Sequence, residues 1–253
     1  MAKLNERDAT RRANRDVEAN RADYSEALER GLLVLNAFEH GEERLSQAQL
    51  ARKLDLPRAT VRRALLTLAH LGYVVTDDRA YRLAPKVLTL ASAYLTTNPV
   101  SRVLQPECDR LADTFQASCT AAVLDGPAAV MIARALPRHA LPIGQGLGFQ
   151  VPAARSALGL VLISGLTGDR CANYPEVPAT RLEEVTEQGY AYVANEVEAG
   201  FHSIAVPLRR WDGTRIAALN VGSTIERLAE RDMIDRVLPI LRVTAERLQP
   251  QLV

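Results

Sequence analysis

Apolar residues fall into three short helical patterns near the start of the chain, and then the period changes. Leu28, Leu32, Leu35 and Phe38 recur at three- and four-residue spacing and predict a first helix with those four side chains as its buried stripe. Ser25 stands where its N-cap belongs, and Glu26 and Glu29 fall in the first turn, where the helix dipole favours acids. Leu50, Ala51 and Leu54 predict a second helix, entered through Ser46-Gln47-Ala48-Gln49, which has the spacing of a capping box. Asp55-Leu56-Pro57 predicts a tight turn, with Pro57 opening the next helix, where its missing N–H costs nothing. That third helix carries Val61, Leu65, Leu68 and Leu71 on one face and ends at Gly72. Two strands, Tyr73–Thr76 and Ala80–Leu83, are predicted around Asp77-Asp78-Arg79.

Helix, turn, helix and hairpin in that order predict a winged helix-turn-helix. Charge supports the reading. From Arg44 to Lys86 nine basic residues face three acidic ones, whereas the whole chain has a formal net charge of only +1. A basic module in an otherwise slightly acidic chain is the electrostatic footprint of DNA binding. Arg58, Ala59, Thr60, Arg62 and Arg63 occupy the start of the third helix, the part of a recognition helix that reaches base edges and phosphates. With Ser46 and Gln47 at the preceding helix start and Arg79 and Arg82 in the wing, they form the candidate DNA-contacting set. Surface arginines are usually a solvated face and nothing more, but here they coincide with the cap, the turn, the proline start and the wing.

The rest of the chain alternates differently. Pro85–Thr97 reads as a linker helix, apolar nearly all round, which predicts a contact with a second copy of the chain. A second amphipathic helix covers Val100–Gln116. Strands are predicted over Ser118–Asp125, Ala128–Arg134, Tyr190–Ala194, His202–Arg209 and Thr214–Gly222, with short helices at Ala157–Ser164 and Glu183–Gln188 and a closing helix at Leu228–Leu248. An antiparallel sheet flanked by helices makes this half α+β. The expected organisation is an arm at 1–23, a DNA-binding domain at 24–84, a linker helix at 85–98, and an effector-binding and oligomerisation domain at 99–253.

The motifs resemble those of the IclR family of bacterial transcriptional regulators. Ala27-Leu28-Glu29-Arg30-Gly31-Leu32, Leu56-Pro57-Arg58-Ala59-Thr60-Val61-Arg62-Arg63 and Leu71-Gly72-Tyr73-Val74 carry the resemblance in the first half. Ser203–Leu208 and Gly213–Val221 carry it in the second. The recognition-helix run is similar to the PcaR/PobR-like branch that controls aromatic-acid catabolism. The resemblance implies a dimer or dimer of dimers in the cytoplasm, a pseudo-palindromic DNA operator, and a GAF-like sensor domain with a pocket on one sheet face. RNA polymerase is a further implied partner. Ser156, Ser203, Asn220 and Gly222 match pocket positions of the family, while Arg155 replaces a small pocket residue. Arg134 and Arg155 add positive charge in the same region, and an arginine fork suits a carboxylate. The effector the resemblance implies is therefore a small organic acid, an aromatic carboxylate such as protocatechuate or 4-hydroxybenzoate. A short aliphatic acid such as glyoxylate or pyruvate, or a second half that only assembles subunits, are the alternatives.

Composition narrows the remaining choices. Hydrophobic residues make up 47% of the chain, too many for a mostly disordered protein. No apolar run approaches the roughly 18–20 residues of a membrane span, and the charged N-terminus does not read as a secretory signal. Residues 1–23 mix Arg11, Arg12, Arg15 and Arg21 with Glu6, Asp8, Asp16, Glu18 and Asp23 and read as a solvated arm. Cys108, Cys119 and Cys171 are too far apart for a metal motif and read as reduced thiols. Gly144, Gly146 and Gly148 lack the spacing of a nucleotide fingerprint. Of the histidines His40, His70, His139 and His202, none has a catalytic context, so no enzyme activity, cofactor or metal is expected.

Overall fold

The computed structural model describes residues 24–38, 44–137, 146–166 and 168–252. The arm at 1–23, His40, His139 and the first glycine of the Gly144–Gly148 loop lie outside the described residues. The chain divides at Leu90 and Ala91 into two compact units.

In the first unit, helix α1 (Glu26–Asn36) is capped by Ser25, whose hydroxyl accepts the Leu28 amide. Its buried positions are Val34 and Ala37, with Leu35 and Phe38 packed beside them. Leu28 and Leu32, expected in the stripe, are 64% and 49% exposed. At 100° per residue they lie more than 100° around the helix from Val34, so one face contains both apolar residues and solvent. β1 (Leu45–Ser46) leads into α2 (Gln47–Leu54), and the capping box between Ser46 and Gln49 is present in both directions. Asp55 closes α2 in the left-handed conformation, φ 53°, which Asp tolerates better than most residues. α3 (Arg58–His70) starts one residue after Pro57, which serves as its N-cap. Val61, Leu65 and Leu68 are buried, whereas Leu71 lies past the helix end and is 48% exposed. β2 (Val74–Asp77) and β3 (Ala80–Leu83) form a hairpin, and β1 adds to it on the β3 side. Two residues of β1 are too few to show a strand period, which is why the pattern did not predict it.

α4 (Val87–Thr97) contains no buried residue. The division between the units falls within it.

The second unit begins with α5 (Pro99–Phe115), capped by the Asn98 carboxamide on the Val100 amide at 2.9 Å. Six antiparallel strands follow: β4 (Ser118–Asp125), β5 (Ala128–Ala135), β6 (Gln150–Pro152), β7 (Ala191–Ala194), β8 (Phe201–Arg209) and β9 (Arg215–Thr224). Their order in the sheet is β6-β5-β4-β9-β8-β7. Period-two alternation separates two cores. Cys119, Ala121, Ile204, Val206, Leu219 and Val221 pack with α5 and the closing helix. Ala122, Met131, Ala205 and Ala218 face the other way, toward α6 (Ala157–Ile163), all of whose residues are buried. α6 packs so closely on the turn before it that a Cβ on Gly159 would come within 2.1–2.4 Å of the Ala153 backbone. α7 (Ala179–Gln188) is four residues longer at its start than its apolar pattern predicts, because Pro178 caps it. The closing segment is broken rather than continuous: a turn at Glu230–Asp232 and a π-turn at Met233–Val237 precede α8 (Leu238–Leu248). Pro239 lies in the first turn of α8, where a missing amide is tolerated. Cys108, Cys119 and Cys171 are free, and burial raises the Cys119 thiol pKa.

Candidate DNA-binding and effector sites

Arg58, Ala59, Arg62 and Arg63 are exposed at the start of α3, and Thr60 is half-buried. Arg58 and Arg62 lie one turn apart, as do Ala59 and Arg63; Ala59 and Arg63 are on the side away from Val61 and Leu65, and Arg58 and Arg62 flank the buried stripe at the exposed first turns. Pro57 has no side chain to cap the helix. Ser46 and Gln47 play a different part. The Ser46 hydroxyl accepts the Gln49 amide at 3.3 Å and donates to the Gln49 side chain at 2.7 Å. The Gln47 amide donates to the Arg58 carbonyl at 2.9 Å, tying α2 to the start of α3. Ser46 is thus engaged in capping α2, and Gln47 in holding α2 to α3. In the wing, Asp77 pairs with Ala80, so Asp78 and Arg79 form a two-residue tip, with Asp78 at φ 54°. Arg79 and Arg82 are exposed. The Asp77 carboxylate meets Arg44 at 3.1 Å, which offsets one of the two acids that would repel phosphate from the wing.

The second unit holds a cavity with about 470 Å³ of unfilled space, mouth included, between the sheet and α6. Strand register builds its floor. Arg134, Thr120 and Asn220 stand opposite one another across β5, β4 and β9. The adjacent same-face row is Ser118, Gly222, Ser203 and Val193 across β4, β9, β8 and β7. Met131, Val151, Leu158, Val193, Val197 and Phe201 make the apolar walls. Among the described residues Arg134 is the one charged side chain lining the cavity. Burial lowers its pKa, and its guanidinium reaches the Met131 sulfur at 3.2 Å. Its backbone is held at both ends by Gln105, which accepts its amide at 3.0 Å and donates to its carbonyl at 2.9 Å.

Of the expected effector residues, Arg134, Ser156, Ser203 and Asn220 line this cavity. Arg155 does not. It is exposed and donates to the Glu196 carbonyl. The Ser156 hydroxyl accepts the Gly159 amide at 3.1 Å, so that amide is not on offer to an anion. The residue ahead of a short capped helix therefore points outward while the cap points in. Gly222 contributes by what it lacks: a Cβ there would come 2.6 Å from the Phe201 ring, which lines the cavity in its place. Ser118, Thr120, Met131 and Phe201 were not anticipated. Asn220 carries the only signal that could have found Thr120 and Ser118, through strand pairing, but register is not readable from alternation alone.

A winged helix-turn-helix with an arginine-bearing helix start, on one chain with a small-molecule cavity, defines a ligand-responsive DNA-binding regulator. Residues 27–78 match the IclR helix-turn-helix domain, and residues 92–249 match the bacterial transcriptional regulator IclR C-terminal domain. The chain belongs to the IclR family of transcriptional regulators and is not an enzyme. It is 34% identical to the Pca regulon regulatory protein of Pseudomonas putida, over 91% of this chain and 85% of that one. It is 33% identical to the p-hydroxybenzoate hydroxylase transcriptional activator of Acinetobacter baylyi, over 92% and 93%. These relatives lie in the PcaR/PobR-like branch. An IclR homologue from Microbacterium hydrocarbonoxydans, solved with 4-hydroxybenzoate, shares the fold at a TM-score of 0.73 and 21% identity, over 89% of this chain and 98% of that one. No helix among the described residues is long and apolar enough to cross a membrane, and no metal-binding cluster occurs among them.

Proposed function

We propose that the effector is an aromatic carboxylic acid, held in the cavity beneath α6 with its carboxylate toward Arg134 and its ring against Met131, Leu158, Val193 and Phe201. The observation that carries this is a cation set among apolar walls. A guanidinium offers only donors and a fixed charge, onto which a carboxylate can fork, and the walls suit a flat ring better than a two- or three-carbon acid. The relatives are regulators whose names concern the Pca regulon and p-hydroxybenzoate hydroxylase, and the homologue of the same fold binds 4-hydroxybenzoate. Binding then changes affinity for a pseudo-palindromic operator, or contact with RNA polymerase, in the cytoplasm.

The working form is a dimer. A single winged helix contacts too few base pairs for operator specificity, so two half-sites are needed. In α4, the linker helix of this reading, Leu88 and Tyr94 are 65% and 47% exposed. With Leu28 and Leu32 they supply apolar surface for a second copy.

Calorimetric titration of the whole chain with aromatic acids, glyoxylate and pyruvate tests the effector class. Aromatic acids bind, and Arg134→Met weakens them. Tighter binding of pyruvate or glyoxylate than of every aromatic acid overturns the proposal.

A further inference from the structure

We infer that Lys86 is a positioning residue that fixes the direction of α4 against the end of the recognition helix, and that the response of operator binding to the effector depends on it. The inference rests on the effector-responsive reading above. Lys86 lies in the turn between β3 and α4. Its ammonium donates to the Leu71 carbonyl at 2.8 Å and stands 5.1 Å from the centre of the Tyr73 ring. Its stem runs past Gly72, where a Cβ would meet the Lys86 Cδ at 3.6 Å. Leu71 closes α3, and the Gly72 and Tyr73 amides return to the Ala69 and Leu68 carbonyls at 3.0 and 2.9 Å. A helix end leaves its last carbonyls without intrahelical partners. A cation on one of them also meets the negative end of the helix dipole.

The backbone of the same residue belongs to α4. The Lys86 carbonyl accepts the Thr89 amide at 3.1 Å and the Thr89 hydroxyl at 2.7 Å, which ties it into the first turn of that helix. Lys86 therefore holds the end of α3 with its side chain and the start of α4 with its main chain. Little else sets where α4 points. None of its residues is buried, and the hydroxyls of Thr96 and Thr97 turn back onto carbonyls of the same helix. The anchor ahead of it, the Ala84 amide on the Tyr73 carbonyl at 2.8 Å, fixes where the helix starts and not its direction. The division between the two units falls within α4, so the covalent path from cavity to recognition helix runs along it. With the tie in place, a change in the direction of α4 carries α3 with it. Without the tie, α4 pivots about Pro85, and the spacing of two recognition helices on paired half-sites no longer follows it.

Whole-chain wild type, Lys86→Met and Lys86→Arg are compared. Operator affinity is measured by fluorescence anisotropy with and without saturating 4-hydroxybenzoate, and affinity for the acid alone by calorimetry. Lys86 is exposed, so neither substitution disturbs a core. Met keeps the stem beside Gly72 and Tyr73 but loses the donor and the charge; Arg keeps both. The acid changes wild-type operator affinity about 5-fold or more, and this response falls to about 2-fold or less in Lys86→Met and persists in Lys86→Arg. Lys86→Met still binds the acid itself within about 2-fold of wild type. A full response in Lys86→Met beside a responsive wild type overturns this inference alone. So does an equal loss of operator affinity with and without the acid, which would make Lys86 a DNA contact. Loss of the response in Lys86→Arg as well removes the bond to Leu71 as its source. A wild type whose operator affinity the acid leaves unchanged overturns the effector-responsive reading and this inference together.

Discussion

Arg155 donates a hydrogen bond to the backbone carbonyl of Glu196, 41 residues further along the chain. Arg181 pairs with the carboxylate of the same glutamate. Glu196 lies in the connection from β7 to β8, which opens at Asn195; that residue, at φ 62°, accepts the Gly200 amide at 2.7 Å, and Val197 and Phe201 line the cavity. Arg155 is therefore a clasp on a cavity wall and not a charge inside the cavity. Arg155→Ala is expected to weaken aromatic acids by only about 0.5–1.5 kcal/mol, the range of an ordinary hydrogen bond, whether the ligand is charged or neutral. Arg134→Met is expected to cost about 1.5–3 kcal/mol and to affect carboxylates selectively. Calorimetry on a benzoate and its neutral amide separates the two roles; a carboxylate-selective loss in Arg155→Ala would place its charge in the site after all.

The exposed row on α3 carries the DNA prediction. Arg62→Ala is expected to weaken operator binding by about 1–3 kcal/mol if Arg62 reads a guanine, with specificity relaxed at one position of each half-site. Arg79, at the wing tip, is expected to contribute through phosphate, so Arg79→Ala lowers the salt dependence by about one unit of log–log slope. Gel shifts across a salt series check both. Wild-type affinity in both Arg58→Ala and Arg62→Ala would exclude α3 as the reading helix.

Association should depend on α4. Leu88→Glu and Tyr94→Glu place charge on surface that is already exposed in the single chain, so folding is spared while the proposed dimer contact is expected to be lost. Sedimentation is expected to show a dimer or larger for wild type and a shift to monomer for the double variant at micromolar concentration. Unchanged association would locate the contact elsewhere.

His202 sets a pH dependence of stability. It is buried on the α8 side of the sheet, its ring nitrogen meets the Tyr192 hydroxyl at 2.9 Å, and Glu230 and the Leu228 backbone lie near it. Burial lowers its pKa, more than Leu228 and Glu230 raise it. The unfolded chain therefore takes up the proton more readily than the folded one. The stability that comes from a neutral His202 is whole above the unfolded value of about 6.5 and is lost as pH falls from there through the folded pKa. Urea midpoints should fall on acidification from pH ~7.5 to ~5.5 in wild type and fall less in His202→Gln. Equal slopes would show that His202 is charged in the folded state or titrates alike in both.

The DNA-binding unit was legible because its signals are local. Ser46 to Gln49, Pro57 and the alternation of Val61 and Leu65 with Arg58 and Arg62 all act within one or two turns. Leu28 and Leu32 misled for the same reason: period shows that a face is apolar but not what covers it. The cavity was only partly legible. Asn220 and Ser203 were found from their strands, yet Thr120 and Ser118 join them only through the pairing of β4 with β9. Arg134 and Arg155 looked alike as arginines near one region. What separates them is that Arg134 lies on a sheet position facing α6, whereas Arg155 lies in a turn whose next residue, Ser156, takes the inward role.

Coupling between the cavity and the recognition helix is the central claim, and one titration addresses it directly. Operator affinity of the whole chain is measured by fluorescence anisotropy at fixed salt, without ligand and with saturating 4-hydroxybenzoate, for wild type and Arg134→Met. Wild-type affinity should change by about 5-fold or more in either direction, and the acid's affinity should change by the same factor when operator is bound. Arg134→Met should bind operator as wild type does but lose the response. Acid binding with no change in operator affinity, or an identical response in Arg134→Met, would contradict the account.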